Sequence, residues 1–524
     1  MIGIDVRVGL SYTETEVLSA LCEKLGERYA GEWKILRREL YTEGKTAGYK
    51  LRVGISLDPY AEIRLCKKNL ARPCPSLELV LPKKQFKKRP VVVGSGPCGL
   101  FAALALAEAG ACPIILERGG DMDSRKAKVA AFERGGELDG ETNIQFGEGG
   151  AGTFSDGKLK HGAMDGYIFK VLSEFVAEGA PEEILFEANP HVGTDLLAGI
   201  IKKIREKIIS LGGEFRFNTR LCGFLAPDEK IVGVKYKAES GEGEIDTEQV
   251  LLAIGHSARD TFKMLDESGI ELEARGFGVG VRIEHPRSHI DKMIYGEHAE
   301  EIGKAASYHF VTHLKNGRSV YSFCMCPGGS VVAATSERGA VVTNGMSYHA
   351  RDGKNSNAAF LVSVKPEDFK NSPLLGLELQ RGLEKRAFDI SGDYKAPCVR
   401  MEDFMAQRGS AAIGDVEPTY PRGVVLVRPD EFLPEFVESS LRLAIPDFEE
   451  YRKGFYLPDA LLTGIETRTT SPIRILRDEN HETKALRGLY PCGEGAGYSG
   501  GIISSAVDGL KTAEKVLSNF VSRE

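Results

Sequence analysis

Residues 90–100 read PVVVGSGPCGL, and this stretch limits the fold of the chain more tightly than any other. The apolar run Pro90–Val93 suits a short buried parallel strand. It meets Gly94, Ser95, Gly96, Pro97, Cys98 and Gly99, whose glycines have the spacing of a dinucleotide-binding turn. In such a turn the first glycine permits the bend, the second admits phosphates to the backbone, and the third packs helix on strand. The segment LFAALALAEAG then predicts a helix whose N-terminus offers free N–H groups and ~+0.5 of a charge to an anion. The next strand, CPIILERGG, ends on Glu117, followed by Arg118. A carboxylate at that position can accept hydrogen bonds from a ribose.

Three further segments decide between NAD(P) and FAD. Residues 147–158, GEGGAGTFSDGK, form a second glycine-rich loop that a simple NAD domain does not need. Gly149, Gly150, Gly152, Thr153, Ser155, Gly157 and Lys158 are therefore expected to cradle the far end of a longer ligand. Residues 250–259, VLLAIGHSAR, predict a strand ending near Gly255, and Leu221 is included on the same cofactor side. Residues 489–509, LYPCGEGAGYSGGIISSAVDG, predict a strand end, a turn and a helix start. There Gly493, Glu494, Gly495, Tyr498, Gly501 and Ile502 are expected to meet the ribityl chain and flavin. The helix N-terminus would favour negative charge on a reduced flavin. The glycine-rich Gly276–Gly280 alternates like a strand and meets Pro286 instead of a helix, so one dinucleotide site is expected, for non-covalent FAD. Any NAD(P)H would act as a transient electron donor.

The phrases GSGPCG, NIQFGEGGAGTFSDGKL, LLAIGHSARDT, YSFCMCPGG, GIETRTTSPIRI and YPCGEGAGYSGGI run in order between residues 92 and 502. With them the chain resembles an uncharacterised FAD-dependent dehydrogenase family, within the single-Rossmann, glutathione-reductase-like FAD oxidoreductase superfamily. The resemblance implies FAD and the fold, and no substrate. One departure is Glu494, where the superfamily usually carries Asp.

The expected architecture is α/β: a Rossmann-type FAD-binding domain with a parallel sheet and helices, an inserted mostly-β substrate domain, and a small N-terminal α/β domain. The N-terminal domain with its basic linker spans 1–88, the FAD domain 89–275, the substrate domain 276–478, and 479–524 returns to the FAD domain. Within the first, IDVRVGL, WKILRREL and LELVL read as strands. Ser11 or Thr13 starts a capping box with Glu14 or Glu16, and Gly26 ends the helix.

The formal charge is 68 − 75 = −7, which argues against a nucleic-acid partner. Pro90–Ala107 is uncharged for 18 residues, the threshold for a membrane span, but its Gly and Pro group at a turn, so no membrane segment is expected. Ten cysteines without a CxxC pair suggest neither a disulfide scaffold nor a zinc ribbon. The start lacks a basic and apolar leader, so a reduced, cytoplasmic protein is expected. The histidines show no metal spacing, and no metal is expected.

Catalytic candidates lie outside the FAD turns. Glu466 suits an acid or base and Arg468 a planar fork for an anion, with a structural ion pair between them or with other side chains as the alternative. Cys324 and Cys326 would share one face of a regular strand, with Cβ atoms too far apart for an easy disulfide. Core packing is expected for both, with a flavin-side role as the alternative. His161, His191 and His256 are equivalent candidates for protonating a substrate. The function expected is hydride transfer between flavin and a small organic substrate. The rivals are a flavoprotein modifying tRNA or another large substrate, and a redox sensor using residues 1–88 to bind a partner.

Overall fold

The computed structural model describes residues 1–519. The chain opens as strand β1 (Ile2–Gly9), helix α1 (Glu14–Leu25), β2 (Trp33–Glu43), β3 (Thr46–Ile55), α2 (Pro59–Lys67) and β4 (Arg72–Pro73). The sheet order is β2-β3-β1-β4, with β1 antiparallel to both neighbours. Thr13 and Glu16 form the capping box of α1, and Gly26 ends it in the left-handed region. Alternation along β1 and β3 sends Ile4, Val6, Leu51 and Val53 into a small separate core. The expected strand LELVL is not formed. Leu79 and Leu81 instead pack singly against the next domain, with no partner strand beside them. Arg89 closes the basic stretch by donating to Glu214 and to the carbonyls of Cys112 and Pro113.

The second domain contains β5 (Val91–Val93), α3 (Pro97–Glu108), β6 (Ile114–Leu116), α4 (Met122–Glu133), α5 (Gly166–Ala177), α6 (Thr194–Ser210) and β7 (Glu214–Arg216). It continues through an antiparallel sheet of β8 (Thr219–Leu225), β9 (Gly233–Ala238) and β10 (Gly241–Asp246). Strand β11 (Val250–Leu252), α7 (Arg259–Glu267) and β12 (Leu272–Ala274) follow. Helix α3 carries no charge before Glu108, and Leu100–Ala107 are buried all round. A helix apolar on every face must be a core helix.

The third domain is a seven-stranded sheet. It is built from β13 (Phe277–Pro286), β14 (Val311–His313), β15 (Ser319–Cys326), β18 (Asn355–Val364), β19 (Ala396–Arg400), β20 (Val424–Leu426) and β21 (Leu461–Glu466). Its order is β14-β15-β18-β13-β21-β19-β20. Strands β16 (Ser330–Ala333) and β17 (Thr343–Met346) pair beside it. Helices α8 (Arg287–Tyr295), α9 (Ala299–Ile302), α10 (Pro373–Ser391), α11 (Met401–Met405), α12 (Pro429–Phe432) and α13 (Glu435–Tyr451) interleave with these strands. The glycine-rich Phe277–Pro286 is thus a strand, as its alternation predicts.

The chain then turns back. Strand β22 (Ile473–Ile475) pairs with β12, and β23 (Leu489–Pro491) joins the parallel sheet β23-β11-β5-β6-β7. The final helix, α14 (Ile502–Asn519), packs on α3. Among the described residues no helix is long and apolar enough to cross a membrane.

Candidate active site

A cavity of about 710 Å³ lies between the parallel sheet and the seven-stranded domain. Its wall joins Gly94–Cys98 and Glu117 to Cys324, Arg351 and Glu466. The glycines of the first turn do different work. Gly94 is left-handed at φ +98°, and a Cβ there would sit 2.3 Å from the Ala253 carbonyl oxygen. A Cβ on Gly99 would lie 1.9 Å from the Gly94 carbonyl oxygen. Both are therefore required by the protein's own packing. At Gly96 the nearest atom would be Gly150 Cα at 3.7 Å, an ordinary contact. The room left there faces the cavity and accommodates something other than protein. Gly96 also caps α3 without a side-chain hydrogen bond, so the first N–H groups of the helix remain for a ligand. A cradle of this kind fits the pyrophosphate of FAD.

Glu117 fastens the two glycine-rich loops together. Its Oε2 accepts from Ser95 N at 3.0 Å and Ser95 Oγ at 2.7 Å, and its Oε1 from Gly119 N at 2.9 Å and Gly147 N at 3.0 Å. Below the second loop lies Arg125, fully buried, donating to the carbonyls of Asn143, Ile144, Glu148 and Gly150. Burial pushes its pKa down to about 10, against the pull of Glu117 and Glu148. Nothing in the motif announces Arg125, because its partners are backbone atoms. Arg118 reaches the cavity but is engaged by Glu141 and Asp260, with Phe146 against its guanidinium.

Gly150, Gly152, Ser155, Lys158, Leu221, Gly255, Gly493, Glu494, Gly501 and Ile502 also line the cavity. Six expected cofactor residues do not. Gly99 and Gly149 shape the turns from behind, the latter donating to Ser95 O at 3.0 Å. Thr153 is buried beneath its loop and accepts from Thr194 Oγ1. Gly157 lies against the backbone of Gly193, and Gly495 against Gly255. The Tyr498 ring turns away to stack under Arg477, 3.8 Å from the guanidinium carbon.

Of the three histidines, the structure brings only His256 to the cavity. Its Nδ1 lies 3.5 Å from Glu494 Oε1, and its buried Nε2 has no partner. That orphaned polar atom also fits a bound polar ligand. His161 is exposed. His191 stacks on His349, and burial pushes its pKa down to about 4.

At the substrate-domain wall Glu466 and Arg468 each form an ion pair with another side chain. Glu466 is paired with Arg282, not Arg468: Nε reaches Oε2 at 2.5 Å and Nη2 reaches Oε1 at 3.0 Å. Arg282 is fully buried and also donates to the Cys324 carbonyl, Asn344 and Asn357. Burial raises the Glu466 pKa to about 7, partly opposed by Arg282. The sequence signal for Arg282 is a lone cation in the apolar run of β13. Arg468 does line the cavity, but its fork is already occupied. Nε and Nη2 hold Glu384 at 3.1 and 2.9 Å, and Nη1 donates to Ser257 and Ser336. Burial would raise the Glu384 pKa, but Arg468 and Arg259 outweigh it and hold the carboxyl well below its ordinary range. The expected bidentate grip on a substrate carboxylate is thus corrected. Lys158 and Arg351 share one buried carboxylate, Asp156, at the same wall.

The strand carrying the cysteines is not regular. The β15–β18 register shifts between Phe323 and Cys326, and Cys324 takes a left-handed φ of +41°. This bulge directs Cys324 into the cavity wall while Cys326 stays fully buried. Core packing therefore does not hold for Cys324.

Residues 77–283 match the family described as pyridine nucleotide-disulphide oxidoreductase. Residues 276–469 match the FAD-dependent protein, C-terminal domain-like family. An uncharacterised protein of Clostridium beijerinckii is 49% identical over 441 residues, covering 83% of this chain and 82% of its own. Among solved structures, Mycobacterium smegmatis Sdh1 in complex with UQ1 aligns over 85% of this chain and 70% of its own, with 15% identity and a TM-score of 0.38. A flavin-dependent brominase aligns over 83% and 81%, with 11% identity and a TM-score of 0.37. The chain belongs to one family with the Clostridium protein and is an FAD-dependent oxidoreductase, its pyridine nucleotide-disulphide oxidoreductase domain followed by an FAD-dependent C-terminal domain.

Proposed function

We propose that this oxidoreductase transfers a hydride between FAD and a small organic substrate held against the Glu466–Cys324 wall. The observation that carries this is a single cavity lined by both the Gly94–Gly96 turn and the substrate-domain wall. FAD supplies the two-electron chemistry when bound. Gly96, the N-terminus of α3 and the Glu117 clamp would hold its phosphate and adenosine side. Glu494 and His256 would orient the polar chain beyond. Glu466 Oε1 and Oε2 hold or release a proton near neutrality, with Arg282 fixing the carboxyl in place. Lys158 and Arg351 set two cations on one carboxylate, a surplus that favours a substrate bearing an anionic group. With one dinucleotide turn in the chain, NAD(P)H acts as a transient donor.

The test is to release the chromophore from purified protein by denaturation and identify it. The intact protein is then mixed anaerobically with NADH, NADPH and a panel of small carboxylates and their neutral analogues. FAD release and faster bleaching by an anionic substrate are expected. Release of FMN or a nicotinamide nucleotide alone would refute the cofactor assignment, and equal rates with neutral analogues would refute the anionic preference.

A further inference from the structure

The bulge in β15 does more than expose one thiol. In a regular strand, residues two apart share a face but stand too far apart to bond. Here one extra residue is inserted opposite Ala359 and Asn357, and Cys324 is left-handed. Cys326 Sγ lies 3.3 Å from the Cys324 carbonyl oxygen. Cations flank the loop on both sides. Lys158 Nζ binds the carbonyl of Met325, between the cysteines, and Arg282 Nη1 lies 2.9 Å from the Cys324 carbonyl oxygen and 3.9 Å from Cys326 Sγ. Room for the inner sulfur depends on Gly345, where a Cβ would sit 3.0 Å from Cys326 Sγ.

We infer that Cys324 and Cys326 form a redox-active pair on the cavity wall, cycling between dithiol and disulfide, with Cys324 facing the cavity and Cys326 as its buried partner. The inference rests on the flavin assignment above. The electrostatics agree with it. Hydrogen bonding from the Cys326 thiol holds the Cys324 thiol well below its ordinary value against burial, aided by Lys158 and Arg282. The Cys326 thiol is pushed up by the Cys324 sulfur and by burial. A thiolate beside a neutral thiol is the starting state for bond formation. Oxidation forms the Sγ–Sγ bond and breaks the Cys326 S–H bond. Two electrons and that proton leave to an oxidised flavin, so one negative charge passes from the Cys324 thiolate to the reduced acceptor. The reverse transfer regenerates the dithiol.

The experiment uses the purified, FAD-loaded chain. Fully oxidised protein is titrated anaerobically with dithionite, and electrons are counted against released FAD. In parallel, oxidised and reduced samples are denatured in an alkylating reagent, and the cysteine-containing peptides are weighed. A second buried pair, Cys98 with Cys492, makes the peptide assignment necessary. Wild type is expected to accept about twice the electrons of its flavin alone, falling about twofold in Cys326→Ser and Cys324→Ser. The 324–326 peptide should be unalkylated and lighter by two hydrogen atoms only after oxidation. Uptake limited to the flavin, with both cysteines alkylated in oxidised wild type, would overturn the inference while leaving the FAD assignment standing. Should no FAD be released, that assignment fails by itself. The pair is then judged on wild type treated with diamide, where free alkylation of both cysteines overturns it. The wild-type measurements decide the matter even where a serine variant does not fold.

Discussion

Two buried ion pairs carry opposite expectations for pH and substitution. Burial lifts Glu466 from its ordinary 4.5 to about 7, so folding takes up a proton between those values. The stability this group contributes is full below pH 4.5 and is lost as pH rises through about 7. Glu466→Gln removes the titration, and the fall in stability across that window should flatten. It also puts an amide NH2 where one carboxyl oxygen faces Arg282, and that lost acceptor costs about 1–3 kcal/mol. Urea unfolding at a series of pH values reads both effects, and an unchanged pH slope would contradict the first. Arg468 behaves differently, because Glu384 keeps Arg259 when Arg468 changes. Arg468→Lys retains charge and loses the two-point grip, so a stability loss of about 1–3 kcal/mol is expected with flavin content preserved. A variant as stable as wild type would show that the Glu384 pair is dispensable.

Glycines of the same turn separate a packing requirement from a ligand requirement. Gly99→Ala places a Cβ against the Gly94 backbone carbonyl and should abolish soluble, folded protein, because backbone cannot step aside. Gly96→Ala meets only an ordinary contact. It should keep stability within about 1 kcal/mol while weakening FAD binding about tenfold or more, about 1.4 kcal/mol. Denaturation curves and the flavin-to-protein absorbance ratio distinguish the two; equal flavin content in Gly96→Ala would place the phosphates elsewhere. This turn was legible in the sequence because its geometry is local: strand, glycines, helix and acid lie within about thirty residues, and each constrains its neighbour. The strand at Phe277–Pro286 was legible for the same reason. LELVL was misread because alternation reports which side is buried, not whether a partner strand exists. The Cys324–Cys326 spacing misled because a bulge is set by the neighbouring strand. The Arg282–Glu466 pair, 184 positions apart, is written only in the pairing of β13 with β21.

The chain closes its cofactor domain with residues that neither family match reaches, since both end at or before residue 469. Strand β23 completes the parallel sheet beside β11. Helix α14 buries Ile503, Ala506, Leu510, Ala513, Val516 and Leu517 in the core shared with α3. Asp508 on that helix accepts from Gly493 N at 2.7 Å and pairs with Arg477, so it also sets the turn that carries Glu494. A chain ending at Thr470 should expose this apolar surface, bind a hydrophobic dye and hold no FAD. A monodisperse, yellow truncated protein would contradict that. The same threading has a consequence on the ribosome. Strand β11 emerges long before β23, and at ~5–20 residues per second the gap is roughly 10–50 s. Through that interval the nascent domain presents an unfilled sheet edge and a bare α3, so the yellow colour can be acquired only after the codons of β23 and α14 have been read.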